Sequence, residues 1–131
     1  MDELPEWPVG TVAVLSTGAG APHAIPVSTA VRRGPRALAF ALALRRESLA
    51  RLRTDPRCAV TILAAGDLAL TAFGRGAVVE ERERVAIVHV EVERIQDHGQ
   101  ETFVIDEGVR WRWTDANAAR SDAEVREALE R

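Results

Sequence analysis

Three residues near the middle of the chain have the types and spacing to bind an anion. Arg45 and Arg46 stand directly before a short helical pattern, and Ser48 is placed to cap its first turn. A helix N-terminus exposes unpaired backbone N–H groups and a partial positive charge, so it attracts anions, phosphate above all. The alternative interpretation is that the two arginines are a solvated surface patch.

A strand pattern upstream offers room for a flat ligand. Between residues 23 and 31, bulky and small side chains alternate, which predicts a strand with one bulky and one small face. The small face comprises Ala24, Pro26, Ser28 and Ala30. Because proline cannot donate to a ladder, we expect this strand at an edge, bulged or bent at Pro26. Either a flat ligand or another segment of the chain would cover the small face.

Composition excludes several other kinds of chemistry. All 17 basic side chains are arginines, and the chain has neither lysine nor tyrosine, which excludes Schiff-base catalysis, a P-loop and a tyrosine proton donor. The net charge of −3 argues against nucleic-acid binding. The histidines at 23, 89 and 98 are scattered, so no metal site is expected, and no serine has a hydrolase context. Cys58 lies in an apolar strand pattern and is expected to be a buried, inert thiol.

The chain is expected to form one domain over residues 1–131 in the cytoplasm. Its 131 residues and 47% hydrophobic content are enough to bury a core. The acidic start lacks a signal peptide's basic and apolar segments, and no apolar run approaches the ~20 residues of a membrane span.

Strand patterns dominate the elements that must position these residues. The six expected strands cover residues 11–16, 23–31, 37–43, 57–63, 68–79 and 84–95. A helix is expected from about Ser48 to Asp55, with Gly74 and Gly76 marking a bend or bulge further on. Residues 102–113 predict a hairpin around Glu107-Gly108, and 121–131 a second short helix. This pattern predicts a small antiparallel barrel, although a sandwich would have the same pattern.

The order of these segments resembles the pyridoxamine 5′-phosphate oxidase-like family. The resemblance rests on the Pro-His-Ala-Ile-Pro-Val strand, the Leu-Ala-Phe strand, Ser-Leu-Ala-Arg-Leu-Arg-Thr-Asp-Pro-Arg, and Phe-Gly-Arg-Gly-Ala-Val-Val at 73–79. It covers roughly residues 10–95, leaving residues 101–131 as a C-terminal hairpin and helix. Members are six-stranded antiparallel split β-barrels that usually bind FMN. The resemblance therefore implies a homodimer with the cofactor in a groove between subunits.

The resemblance also implies a set of cofactor-binding residues. These are Pro26, Val27, Ser28 and Thr29 along the flavin ring, Leu42 (with Phe40 and Ala41) at its border, and Arg45, Arg46 and Ser48 at the phosphate. The family's Ser-Arg-Lys run falls here on Arg46, Glu47 and Ser48, so a glutamate replaces the usual arginine and a serine the usual lysine. Glu47 would repel phosphate unless it is turned away or paired.

The expected function is that of an FMN-dependent oxidoreductase acting on a small molecule. The alternatives are a protein that carries a flavin, a deazaflavin or haem without turnover, and a split-barrel dimer whose site has decayed. His23 is the one candidate for proton transfer, with a simple surface histidine as the alternative. Trp111 and Trp113 either pack at the barrel or dimer surface or wall the cofactor groove.

Overall fold

The computed structural model of the chain describes all 131 residues and is mainly β. The strands are β1 (Ala13–Thr17), β2 (His23–Val27), β3 (Val31–Gly34), β4 (Ala37–Ala43), β5 (Arg57–Ala64), β6 (Leu68–Glu81) and β7 (Val85–Asp97). The helices are α1 (Glu47–Thr54) and α2 (Ala116–Glu130). The strands form one sheet in the order β2-β1-β5-β6-β7-β4-β3, with every pair antiparallel. The expected antiparallel barrel is confirmed, with seven strands instead of six.

The extra strand arises because the segment expected as one strand over residues 23–31 breaks after Val27. Residues 28–30 bond to other parts of the chain instead of continuing a ladder. The carbonyl of Ala30 accepts from Trp7 Nε1 at 2.8 Å, and Thr29 Oγ1 accepts from the backbone N–H of Ala41 at 3.0 Å. β3 then begins at Val31 and pairs with β4.

The sheet curls around a single interior filled by apolar side chains. Leu15, Phe40 and Val60, which come from three different strands, are each fully buried there. Leu49 and Leu52 of α1 close one end of this interior. The expected apolar stripe of α1 is thus confirmed, since the two leucines lie three residues apart on one helix face.

The sheet has a bulge at Gly74, where a bend or bulge was expected. The pairing register between β6 and β7 shifts between Phe73 and Gly74. A Cβ atom added at Gly74 would lie 2.1 Å from the carbonyl oxygen of Glu91, so the two backbones can approach only because residue 74 lacks a side chain.

The hairpin expected within residues 102–113 is absent, because this segment is irregular throughout. Its backbone does not pair with any strand. Individual residues of the segment contact the barrel and the N-terminal arm instead. Trp111 Nε1 donates to the carbonyl of Gly10 at 2.8 Å, and Gly108 lies against the end of β5.

The second helix begins five residues earlier than the sequence indicates. Asp115 caps it, because its Oδ1 accepts from the backbone N–H of Asn117 at 2.9 Å. Ala128 and Leu129 then pack on Ala39 and Ile87, on the outer face of β4 and β7. Neither helix has the length and apolar character that a membrane crossing requires.

Candidate functional site

The candidate site lies along a split in the barrel between β2 and β4. No backbone ladder joins these two strands. Side-chain contacts close the split at both ends, one from Thr29 just after β2 to β4 and one from β2 to α1, which follows β4. Thr29 Oγ1 bonds to the backbone N–H and carbonyl of Ala41 at one end, and His23 Nε2 contacts Glu47 Oε2 at 2.8 Å at the other. The barrel is therefore closed by side chains here, which leaves backbone edges along the split.

Of the four residues expected on the small face, Ala24 and Pro26 of β2 point outward beside this split, whereas Ser28 is partly buried and Ala30 is buried in the core. Ala24 and Pro26 are exposed, whereas Ile25 and Val27 turn toward the core. β2 is the end strand of the sheet, so the expectation that Pro26 lies on an edge strand is confirmed. A flat ligand could contact this face without displacing core side chains.

The first turn of α1 is built differently from the sequence expectation. The residue at the N-cap position is Arg46, whose backbone is extended and whose side chain makes no capping bond. Ser48 does not cap the helix, and its side chain is fully buried. Since Leu49 and Leu52 anchor this helix face in the barrel, Ser48 is carried inward beside them. Its hydroxyl lies 3.4 Å from His23 Nδ1 and has no exposed surface to offer a ligand.

The carboxylate of Glu47 is paired with two side chains. From the sequence, Glu47 was expected to repel a phosphate unless it was turned away or paired. Glu47 Oε2 lies 2.8 Å from His23 Nε2 and 3.3 Å from Arg51 Nε. Arg51 also donates to the carbonyls of Ala19 and Ala21, so it is fixed by the turn between β1 and β2. The negative charge at the start of α1 is therefore partly compensated.

Arg45 and Arg46 are free to bind an anion. Both side chains are exposed, and neither takes part in an ion pair or a side-chain hydrogen bond, whereas Arg51, Arg53 and Arg57 are all paired with carboxylates. The backbone N–H groups of the first helical residues add further donors at the same place. The structure thus leaves two guanidinium groups unpaired beside the N-terminus of α1.

The other residues expected to bind the cofactor differ in which of their atoms are accessible to a ligand. Val27 and Leu42 are buried in the core, so they can contact a ligand only through backbone atoms. Pro26 is exposed and Ser28 is partly buried beside the split. Ser28 is also held by a residue that the sequence did not single out, because Arg126 Nη2 donates to its carbonyl at 2.6 Å.

The only sequence signal for Arg126 is its spacing of four residues from Asp122. That spacing on a helix predicts the observed 2.7 Å ion pair but says nothing about Ser28, 98 positions away.

The side chains around the split bring little chemistry of their own. Burial raises the pKa of the Cys58 thiol to about 11, which keeps it protonated and inert, as expected. Burial, together with the nearby Arg33, lowers the pKa of His89, which lies on β7 opposite Ala39 of β4. No group of three or more His, Cys, Asp or Glu side chains is arranged to hold a metal ion.

Comparison with solved structures identifies the fold as a split barrel. A Listeria innocua protein provisionally named a pyridoxamine 5′-phosphate oxidase superposes with a TM-score of 0.58 at 16% identity, covering 69% of this chain and 90% of that one. HupZ of Group A Streptococcus gives 0.61 at 11% identity, covering 76% and 90%. The NADH:FAD oxidoreductase SgcE6 of Streptomyces globisporus gives 0.57 at 14% identity, covering 67% and 75%.

No protein-family model matches the sequence, and no curated protein matches it significantly. At these identities the structural neighbours define the fold and leave the ligand to be argued from the site itself.

Proposed function

We propose that this protein binds a flavin, specifically FMN, along the split between β2 and β4. Arg45, Arg46 and the first amides of α1 would hold the phosphate, and the face that carries Pro26 and Ser28 would lie along the ring. The observation that carries the proposal is the pair of exposed, unpaired arginines at the start of α1. Arginine binds phosphate through a planar fork of donors, and a helix N-terminus adds oriented N–H groups.

The residues of the site fit a phosphorylated, flat group. The charge of Glu47 is drawn toward His23 and Arg51, so it opposes a phosphate less than its position in the sequence indicates. The outward side chains of β2 are small enough for a ring to approach the backbone. A bound flavin supplies hydride chemistry, and the chain supplies binding and orientation. The proposed activity is therefore that of a flavin-dependent oxidoreductase.

We also propose that the protein acts as a homodimer with the flavin between subunits. Val14 of β1 is opposite Pro26 in the sheet register and Thr61 on its other side, so these residues share the outer face. Leu63, two residues beyond Thr61, lies on that face as well and is 53% exposed. A second copy would bury this apolar surface beside the small face of β2. Sedimentation velocity tests this, with a monomer at micromolar concentration as the contrary result.

A second candidate is a protein that carries a flavin, a deazaflavin or haem without turnover. The state of His23 favours this candidate. Its Nε2 contacts the Glu47 carboxylate and its Nδ1 faces the Ser48 hydroxyl, so both ring nitrogens already have partners. His23, the one candidate for proton transfer, is therefore not free to exchange a proton with a substrate. Oxidation of NADH by the flavin-loaded protein separates the two candidates, because a carrier would not support it.

The binding proposal is tested by comparing FMN with riboflavin, which lacks the phosphate. The double variant Arg45→Gln/Arg46→Gln should weaken FMN binding by about 10–100-fold, since one charge-assisted contact contributes roughly 1.5–3 kcal/mol, and leave riboflavin binding unchanged. Arg112→Gln is the matched control, because Arg112 is also exposed and unpaired but lies on the C-terminal segment. Equal FMN affinity of the double variant and the parent protein would refute the phosphate assignment.

A further inference from the structure

A cavity lies under the irregular C-terminal segment and is separate from the α1 end of the split. Its volume is about 570 Å³. It is bounded by residues 8–12 of the N-terminal arm, residues 63–65 at the end of β5 and residues 107–113, with Asp122 and Arg126 of α2 beneath. The proposed flavin site does not use this space.

Arg126, which is one of the residues that line this cavity, has an unused hydrogen-bond donor. Its Nε bonds to Asp122 Oδ2 at 2.7 Å and its Nη2 to the carbonyl of Ser28 at 2.6 Å. Its Nη1 is shielded from solvent and has no partner. A buried donor without an acceptor is costly, and such groups are rare in folded proteins. The hydrogen-bonding capacity of the Arg126 guanidinium is therefore satisfied only when an acceptor reaches Nη1.

Two tryptophans give the same cavity an aromatic wall. Trp111 and Trp113 pack edge to face, with ring centroids 5.2 Å apart and planes at 85°. Trp111 is 37% exposed and Trp113 44%, so part of each ring remains uncovered. Exposed aromatic surface at a concave site favours stacking with another flat ring.

The charges that line the cavity favour an anion, although the chain as a whole has a net charge of −3. Three arginines, at 110, 112 and 126, face two carboxylates, at 107 and 122. Asp122 is committed to Arg126, and Glu107 lies 3.8 Å from Arg110. The remaining donors are Arg112, which has no partner, and Nη1 of Arg126.

We propose that this cavity binds a small aromatic carboxylate, with its ring against Trp111 and Trp113 and a carboxylate oxygen on Nη1 of Arg126. Because Nη1 is shielded, the ligand reaches it by displacing part of the wall. Residues 99–115, which form part of this wall, have no ladder pairing with the barrel. Three hydrogen bonds join them to the barrel and the N-terminal arm: Gly99 N–H donates to Asp97 Oδ1, Ile105 N–H to Asp67 Oδ1, and Trp111 Nε1 to the Gly10 carbonyl. The site shares Arg126 with the proposed flavin site, because Arg126 Nη2 donates to the Ser28 carbonyl, but binding of the carboxylate does not require a flavin.

The experiment compares 2-naphthoate with its neutral isostere 2-naphthamide, each titrated against the purified protein by tryptophan fluorescence. The parent protein should bind the carboxylate at least tenfold more tightly than the amide, as expected for one charge-assisted contact. Arg126→Lys keeps a cation beside Asp122 but removes the guanidinium fork, so it should abolish this preference while leaving the amide's affinity within about twofold.

Two controls locate the site and guard against misfolding. Arg120→Gln changes an arginine of the same helix that lies outside the cavity, and it should retain the full preference. Arg45→Gln/Arg46→Gln should also retain it, which separates this site from the proposed phosphate site. If Arg126→Lys unfolds, Trp113→Leu should weaken both probes in a folded protein. Equal binding of the two probes by the parent protein, or loss of the preference in either arginine control, would overturn the proposal.

Discussion

Glu47 Oε2 lies 2.8 Å from His23 Nε2, and this contact joins the first turn of α1 to the first residue of β2. Ser48 Oγ lies 3.4 Å from the other ring nitrogen, so His23 is held from both sides. The three residues fasten one end of the split. The same contact draws the one acidic side chain of the first helical turn away from Arg45 and Arg46.

Glu47→Gln should affect flavin binding and stability in opposite directions. Removing the charge should strengthen FMN binding by about fivefold, because two charges near a protein surface interact with roughly 1 kcal/mol or more. It should lower the free energy of unfolding by about 0.3–1 kcal/mol, because an acidic residue in the first turn stabilises a helix. FMN titration and urea denaturation measure the two effects. Glu81→Gln, which removes an acid paired with Arg53 near the other end of α1, should leave FMN affinity unchanged.

Gly74→Ala should destabilise the protein by about 1–3 kcal/mol, the usual cost of forcing an extra methyl into a packed region. The added Cβ would lie 2.1 Å from the Glu91 carbonyl oxygen, so the bulge between β6 and β7 must open. Gly34→Ala is the control, since its nearest neighbour would be 3.9 Å away. Equal urea midpoints for the two variants would contradict the role given to Gly74.

Asp55→Asn should cost stability in a pH-dependent way. Hydrogen bonds from the Arg57 side chain are the largest cause lowering the pKa of Asp55 from 3.8 to about 2. Because the folded-state pKa is the lower one, the stabilisation is fully present above pH 4 and is lost as the pH falls toward 2. The difference in unfolding free energy between parent and variant should therefore be constant from pH 7 to 5 and shrink by pH 3. A difference that stays constant down to pH 3 would show that Asp55 has an ordinary pKa.

Cys58 should react with thiol reagents only when the protein opens. Burial raises its pKa to about 11, so at pH 8 the reactive thiolate is a minor species even before access is considered. We expect 5,5′-dithiobis(2-nitrobenzoate) to react at least 100-fold more slowly with the native protein than in 8 M urea, roughly the effect of a shift of two pKa units. Rapid stoichiometric labelling of the native protein would show that the thiol is accessible.

Local sequence patterns are sufficient to predict those elements whose signals are strong and confined to a few residues. The strand over Ala37–Ala43 and the turn at Ala65–Asp67 follow the expected bounds, because alternation and glycine act within a few residues. The bulge at Gly74 and the helix before Pro56 were likewise predicted from single residues with strong backbone preferences. The two arginines before α1 could also be singled out, since they need only a position relative to a helix start.

Features that depend on contacts between residues far apart in the chain could be seen only in the tertiary structure. Ser48 has the chemistry of a cap, yet Leu49 and Leu52 anchor the helix face that buries it against His23. The segment at residues 102–113 has the pattern of a hairpin, but its polar groups find partners on the barrel instead of on each other. Arg126 reaches Ser28 across 98 positions, which no local pattern encodes. Local preferences contribute about 1 kcal/mol per residue, whereas burial of apolar side chains and satisfaction of buried polar groups contribute more, so the packed structure overrides them.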